Sequence, residues 1–165
     1  MQRRSFLKAG LLGGLALVAG GAVYRQIRPA MPARFALDAQ GRSMLAALIP
    51  AITGLAPEPA ALEAGIDRVG AAIASLPLRM QKEISDLFGL LAMAPTRRLL
   101  AGVPPWPEAT PQQVAAFLQS WRTHRTEMLQ TAYHGLNSLV IGSWYADASA
   151  WPAIGYPGPL QELSA

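Results

Sequence analysis

Two histidines, ten Asp and Glu and no cysteine make up the acid–base and nucleophilic inventory of this 165-residue chain. His124 has Glu127 one helical turn away, a spacing at which a carboxylate can orient an imidazole as a general base. The plainer reading, a surface or core-edge histidine with a local partner, is favoured. His124 and His134 lie ten positions apart, about 80° around a regular helix, so they do not share a face and do not form a metal-ligand pair. Glu63 and Asp67 with Arg68, and Glu83 and Asp86 with Lys82, read as solvated helix faces rather than a catalytic carboxylate pair. No glycine-rich loop stands between a strand and a helix to cradle a phosphate. Without cysteine there is no disulfide, thiolate metal site or covalent haem attachment. The sequence therefore places no catalytic, cofactor-binding or metal-binding residue on this chain, and points to binding rather than catalysis.

Two groups of residues suit binding. Arg122 and Arg125 bracket an inward apolar stripe, and Arg125 stands where an apolar residue is due between Trp121 and Met128. Its guanidinium calls for an acidic or carbonyl partner, or its stem runs along the core. The second group is the tail, where Trp144, Tyr145, Trp151 and Tyr156 fall within thirteen positions. Aromatics with a polar handle are enriched at interfaces. Pro157, Gly158 and Pro159 hold such a segment in a rigid turn at low entropic cost. Either the tail wraps back to close the core, or it docks on another protein.

The elements that must carry these residues are helical. Asp38 suits an N-cap for a helix with an apolar face of Leu45, Leu48, Ile49 and Ile52, which Pro50 and Gly54 bend or end. Pro57 to Pro59 precede a second helix with Leu62, Ile66, Val69, Ile73 and Leu76 on one stripe. Pro77 opens a third, carrying Met80, Ile84, Leu87, Phe88 and Leu91. A short piece over 96–101 leads into a stiff loop, Gly102 to Pro107. Thr110-Pro111-Gln112-Gln113 predicts a capping box. The stripe that follows, from Val114 through Phe117, Leu118, Trp121, Met128, Ala132, Leu136, Leu139 and Val140, would make a rod of ~54 Å if unbroken to Ala146. A domain of this size has a radius of gyration of only ~14 Å, so a break is required, and Gly135 is the expected place. The expectation is all-α: a small irregular bundle of about five to six helices over 38–165, ending in an extended aromatic, Pro-Gly-rich tail over 147–165.

Ahead of the domain come a linker over 29–37 and a leader over 1–28. Arg3-Arg4-Ser5-Phe6-Leu7-Lys8 precedes an uncharged, glycine-rich apolar run from Ala9 to Tyr24, the pattern of an export leader of the twin-arginine type. Gln2 departs from the usual Ser or Thr. The run falls short of the ~20 residues that span a bilayer. Small residues near Ala19 to Ala22 leave two fates open, cleavage or retention as an inner-membrane tether. The chain's charge of +4 resides here: residues 1–30 hold five Lys and Arg and no acid, leaving nine Lys and Arg against ten acids in the remainder. The isolated Arg97-Arg98 pair is no basic stripe, which argues against nucleic-acid binding.

The order of leader, helical body, Trp121-Arg122, Tyr133, Leu136, Trp144-Tyr145, Trp151 and a closing Ile154-Gly-Tyr-Pro-Gly-Pro159 resembles the gluconate 2-dehydrogenase subunit 3 family. The resemblance spans most of the chain, and its most specific part is the aromatic tail. It implies a small, non-catalytic subunit without a cofactor of its own. The implied partner is a large flavoprotein of the glucose-methanol-choline type that carries FAD, often with a multihaem cytochrome c as a further subunit. It also implies periplasmic localisation, with Arg3, Arg4, Phe6, Leu7 and Lys8 addressing the twin-arginine translocase and the folded flavoprotein exported alongside. Arg125, Trp144, Tyr145, Trp151, Tyr156, Pro157, Gly158 and Pro159 are the expected partner interface. A free-standing exported helical domain enclosing an apolar ligand is the alternative reading, and a small exported enzyme using His124 and Glu127 ranks after it.

Overall fold

The first helix begins where Asp38 accepts a hydrogen bond from the Gly41 backbone N–H at 2.7 Å, a cap that satisfies one of the open donors of a helix start. This computed structural model describes residues 34–158; the leader and Pro159 lie outside them. Six α-helices are present among the described residues: α1 Ala39–Thr53, α2 Pro59–Ser75, α3 Leu78–Ala92, α4 Ala94–Leu100, α5 Pro111–Arg122 and α6 Glu127–Tyr145. Short 3-10 turns occupy Trp106–Glu108, Ala148–Ala150 and Pro152–Ile154, and no strand occurs among these residues. The chain is all-α, as its periodicity predicts. None of the described helices is long and apolar enough to cross a membrane.

α1 is the central element, touching α2, α3, α5, α6 and the turn at Trp106. Its Met44, Leu45, Leu48 and Ile49 are buried against Ile66, Val69 and Ile73 of α2, Val114 and Trp121 of α5 and Val140 of α6. Pro50 is accommodated inside α1, which ends at Gly54 with φ 70°.

Two tryptophans close the far side of this core. The stiff loop after α4 inserts Trp106, whose indole N–H donates to Leu91 O at 3.0 Å. Trp121 donates in the same way to Leu100 O at 2.8 Å. Leu91 and Leu100 lie in the last turns of α3 and α4, where carbonyls lack intrahelical partners. Each indole thus packs the core and caps a helix end. Phe117 stands between them, edge-on to Trp106 at 6.3 Å and to Trp121 at 4.8 Å.

The capping box forms as expected: Gln113 N–H donates to the Thr110 hydroxyl while Thr110 N–H donates to Gln113 Oε1. Thr110→Ala removes one of these bonds and is expected to cost about 1 kcal/mol. For a domain of this size that amounts to a fall of about 4 °C in Tm on thermal unfolding.

The break in the long C-terminal stripe is not at Gly135, which lies inside α6 with open space where a Cβ would stand. It falls over 123–126, between α5 and α6. There Thr126 N–H donates to His124 Nδ1 at 3.0 Å and Gln130 Nε2 donates to His124 O at 2.7 Å. Polar side chains bonding to nearby backbone compete with the helix ladder. The turn also carries Met128 out of the core to 71% exposure.

The α2–α3 corner departs from the expected stripe as well. Met80 is exposed, and the inward place is taken by Gln81, which is buried. Its Nε2 donates to Ala74 O at 2.9 Å and Leu76 O at 2.7 Å, while its Oε1 accepts from Phe35 N–H at 2.8 Å. One amide side chain thereby ties the incoming chain to the end of α2 and the start of α3. Phe35 completes the attachment by packing edge-on to Phe88 at 5.9 Å.

Candidate functional site

The tail folds into a hook on the C-terminal end of α6. Asp147 caps its first 3-10 turn by accepting from Ser149 N–H at 2.8 Å. The same carboxylate pairs with Arg68 of α2, Nη1 to Oδ2 at 2.6 Å. Arg68 also donates from Nε to Ser143 O at 3.3 Å, and its guanidinium lies 5.9 Å from the centroid of the Trp144 ring. Beyond this clamp the chain turns back. Trp151 donates its indole N–H to Tyr145 O at 2.9 Å and meets the Tyr156 ring edge-on at 5.2 Å. Gly158, at φ 96°, passes so close that a Cβ there would lie 3.2 Å from the Trp151 ring. A side chain would meet both backbone strain and a wall at this position.

The eight residues expected to share an interface are not equivalent. Trp144 is buried, 5% exposed, with its ring against Gly65 of α2. It is a core residue in this fold. Its indole N–H is buried without a hydrogen-bond partner. Tyr145 and Trp151 are half-buried within the hook, and Pro157 and Gly158 continue it. Tyr156 is 46% exposed, and Ile154, which the sequence did not single out as a site residue, is 53% exposed. Pro159 lies outside the described residues. Arg125 is exposed, but in the turn before α6. The length of α6, ~27 Å for its nineteen residues, separates it from the hook. The set thus resolves into one core tryptophan, one ordered aromatic hook and one distant arginine.

The remaining candidates for chemistry have other occupations. His124 uses Nδ1 to hold the α5–α6 turn, and His134 stacks edge-on with neighbouring Tyr133 at 5.1 Å. Glu63 and Asp67 both grip Arg42 of α1, at 2.6 and 2.7 Å. Lys82–Asp86 and Arg79–Glu83 form pairs along α3. No group of three or more potential metal ligands occurs among the described residues. The Arg97-Arg98 pair divides: Arg98 is exposed, whereas Arg97 is buried, donating from Nη1 to Ala92 O at 3.0 Å with its Nε unpartnered.

Hydrogen bonds from the Ser149 side chain and backbone, with the Arg68 guanidinium beside them, hold the Asp147 carboxyl below its ordinary range. A carboxyl lowered in the fold stabilises it above the unfolded value, about pH 4, and loses that contribution as pH falls through the lower folded value. Acidification below about pH 4 is therefore expected to loosen the hook before the core. Hydrogen exchange at the Trp151 indole N–H will report this, accelerating at low pH in the native protein. In Asp147→Asn the exchange is expected to be fast already at pH 7, with this acid-dependent step absent.

The sequence could show that the tail is aromatic and rigid, but not which ring the core claims. Comparison with protein-family models, with curated proteins and with solved structures gives no match.

Proposed function

We propose that this chain is the helical, non-catalytic accessory subunit of an exported FAD-dependent dehydrogenase acting on a sugar, polyol or other alcohol. It binds its flavoprotein partner and assists the partner's folding and passage through the twin-arginine translocase, with Arg3 and Arg4 as the address. FAD belongs to the partner, and haem c to a cytochrome subunit where one is present. The observation that carries the reading is the ordered hook, which holds Ile154 and Tyr156 outward on a frame fixed by the Trp151–Tyr145 bond and the Arg68–Asp147 pair. Side chains presented from an ordered backbone, with the Tyr156 ring already packed edge-on to Trp151, lose less entropy on binding, which suits them to anchor an interface.

The test is affinity capture of the tagged chain from native periplasmic and membrane fractions, with an absorption spectrum of the eluate. A large co-eluting protein with flavin bands is expected. Ile154→Asp combined with Tyr156→Ala should lower flavoprotein recovery by on the order of tenfold or more, as loss of interface anchors does. Its helical circular dichroism should remain unchanged, because both side chains lie outside the core. Unchanged recovery would remove the hook from the interface. A lone colourless 17 kDa species would refute the subunit assignment.

A further inference from the structure

A second surface stands apart from the hook, at the N-terminal tip of α3. Leu78 and Met80 are 57% and 46% exposed, two large apolar side chains in the first turn of one helix. Helical side chains lean toward the N-terminus, so Leu78, Arg79 and Met80 ring the tip rather than lie along its flank. Arg79 and Lys82 add two exposed cations, and their acidic partners Glu83 and Asp86 stand one turn farther from the tip. From Ser75 to Lys82 there is no acidic residue. The tip thus carries Leu78 and Met80 on opposite sides of the helix with Arg79 between them, and the acidic partners of its two cations lie one turn behind.

The incoming chain enters at the same place. Phe35 is hydrogen-bonded to Gln81, the residue next to Met80, and exposed Arg34 precedes it. Ten residues, 25–34, separate Phe35 from the end of the uncharged run at Tyr24, and include Arg25, Arg28, Pro29 and Pro32 but no acid. Fully extended they reach at most ~35 Å. A membrane-held run would therefore keep the tip within that distance of the bilayer, where a short tether raises the effective concentration of a weak contact. Exposed apolar side chains interleaved with Lys and Arg are the composition that settles into an anionic lipid interface.

We propose that the N-terminal tip of α3, where exposed Leu78 and Met80 stand on either side of Arg79 with Lys82 one turn on and Arg34 on the incoming chain, seats end-on on an anionic phospholipid bilayer when the leader is retained. This rests on the tethered form of the export reading and is independent of the flavoprotein partnership. The retained leader supplies proximity and the tip supplies orientation, fixing which end of the domain faces the lipid.

The absence of cysteine makes a direct test possible in the full chain. Single substitutions Met80→Cys, Leu15→Cys in the leader and Met128→Cys at the α5–α6 turn each accept an environment-sensitive fluorophore. Residues 80 and 128 are exposed, so labelling spares the core; circular dichroism verifies the fold. Each protein is reconstituted into phosphatidylcholine–phosphatidylglycerol vesicles with and without brominated acyl chains. The expected result is blue-shifted emission, quenched by brominated lipid, at positions 15 and 80 but not at 128. Arg79→Gln with Lys82→Gln should lower the docked-to-free ratio at position 80 by on the order of tenfold, the contribution of two cations near an anionic surface. Quenching at 15 without quenching at 80 would overturn the tip proposal while leaving the tether intact. No quenching at either would overturn both. Blue-shifted emission at 80 that brominated lipid does not quench would mean protein covers the tip, and would equally overturn it.

Discussion

Trp121→Ala is expected to lower stability by about 4 kcal/mol, the cost of emptying a large aromatic site in a core. The ring is 1% exposed and packs edge-on to Phe117 at 4.8 Å, so the space it leaves is walled by well-fixed neighbours. Its removal also strands Leu100 O at the end of α4, which then has no donor. Because domains of this kind are stable by only ~5–15 kcal/mol, this is a large share of the total, and the variant should unfold about 15 °C lower. Trp121→Phe separates the two contributions: it keeps most of the packing, loses the hydrogen bond and should cost about 1–2 kcal/mol. Equal losses from Ala and Phe in chemical denaturation would show that the bond to Leu100, not the packing, governs this site.

Gly65→Leu should rank second, at about 3 kcal/mol, because it forces extra volume into a full site. Even a bare Cβ at Gly65 would stand 2.7 Å from Cζ3 and 2.8 Å from Cε3 of Trp144. Gly65→Ala alone gives a smaller loss, since the clash is partly offset by about 1 kcal/mol of helix propensity. The diagnostic variant is Gly65→Ala with Trp144→Phe, whose shorter ring withdraws from the new methyl group. Trp144→Phe also deletes an indole N–H that has no partner to lose, so it should be milder than Trp121→Phe. In a double-mutant cycle the double variant should therefore lose about 1 kcal/mol less than the sum of the two single losses at positions 65 and 144. Strict additivity would mean that α2 and α6 can separate at this crossing without cost.

What the sequence disclosed depended on the range of the interaction. The stripes through Leu48, Ile66 and Val114 and the box at Thr110 are set by neighbours within a turn or two, and they stand where periodicity and capping place them. Gly135 misled because the ~1 kcal/mol a glycine costs a helix interior is outweighed by the burial of Leu136, Val140 and Trp144 along the same helix. The turn at 123–126 depends on His124, whose Nδ1 accepts from Thr126 N–H and whose carbonyl accepts from Gln130 Nε2, which propensity does not encode. Trp144 was grouped with the tail by composition, but its place is decided by Gly65, far earlier in the chain. Gln81 carried no local sign of burial, since the three backbone groups it serves come together only after α2 and α3 have turned. The hook was legible as a rigid aromatic segment. Which of its side chains face outward required the Arg68–Asp147 clamp, a contact between residues 79 positions apart in the chain.

The Gln81 amide also has a mechanical consequence. Tension applied along the incoming chain at Arg34 meets the Phe35–Gln81 bond before it reaches the first turn of α1. From Gln81 the load divides between the carbonyls of Ala74 and Leu76 and the backbone of α3. The domain is therefore gripped at a helix corner, where a pull is shared by two helices in shear, rather than at the free end of α1, where it would peel the central helix one turn at a time.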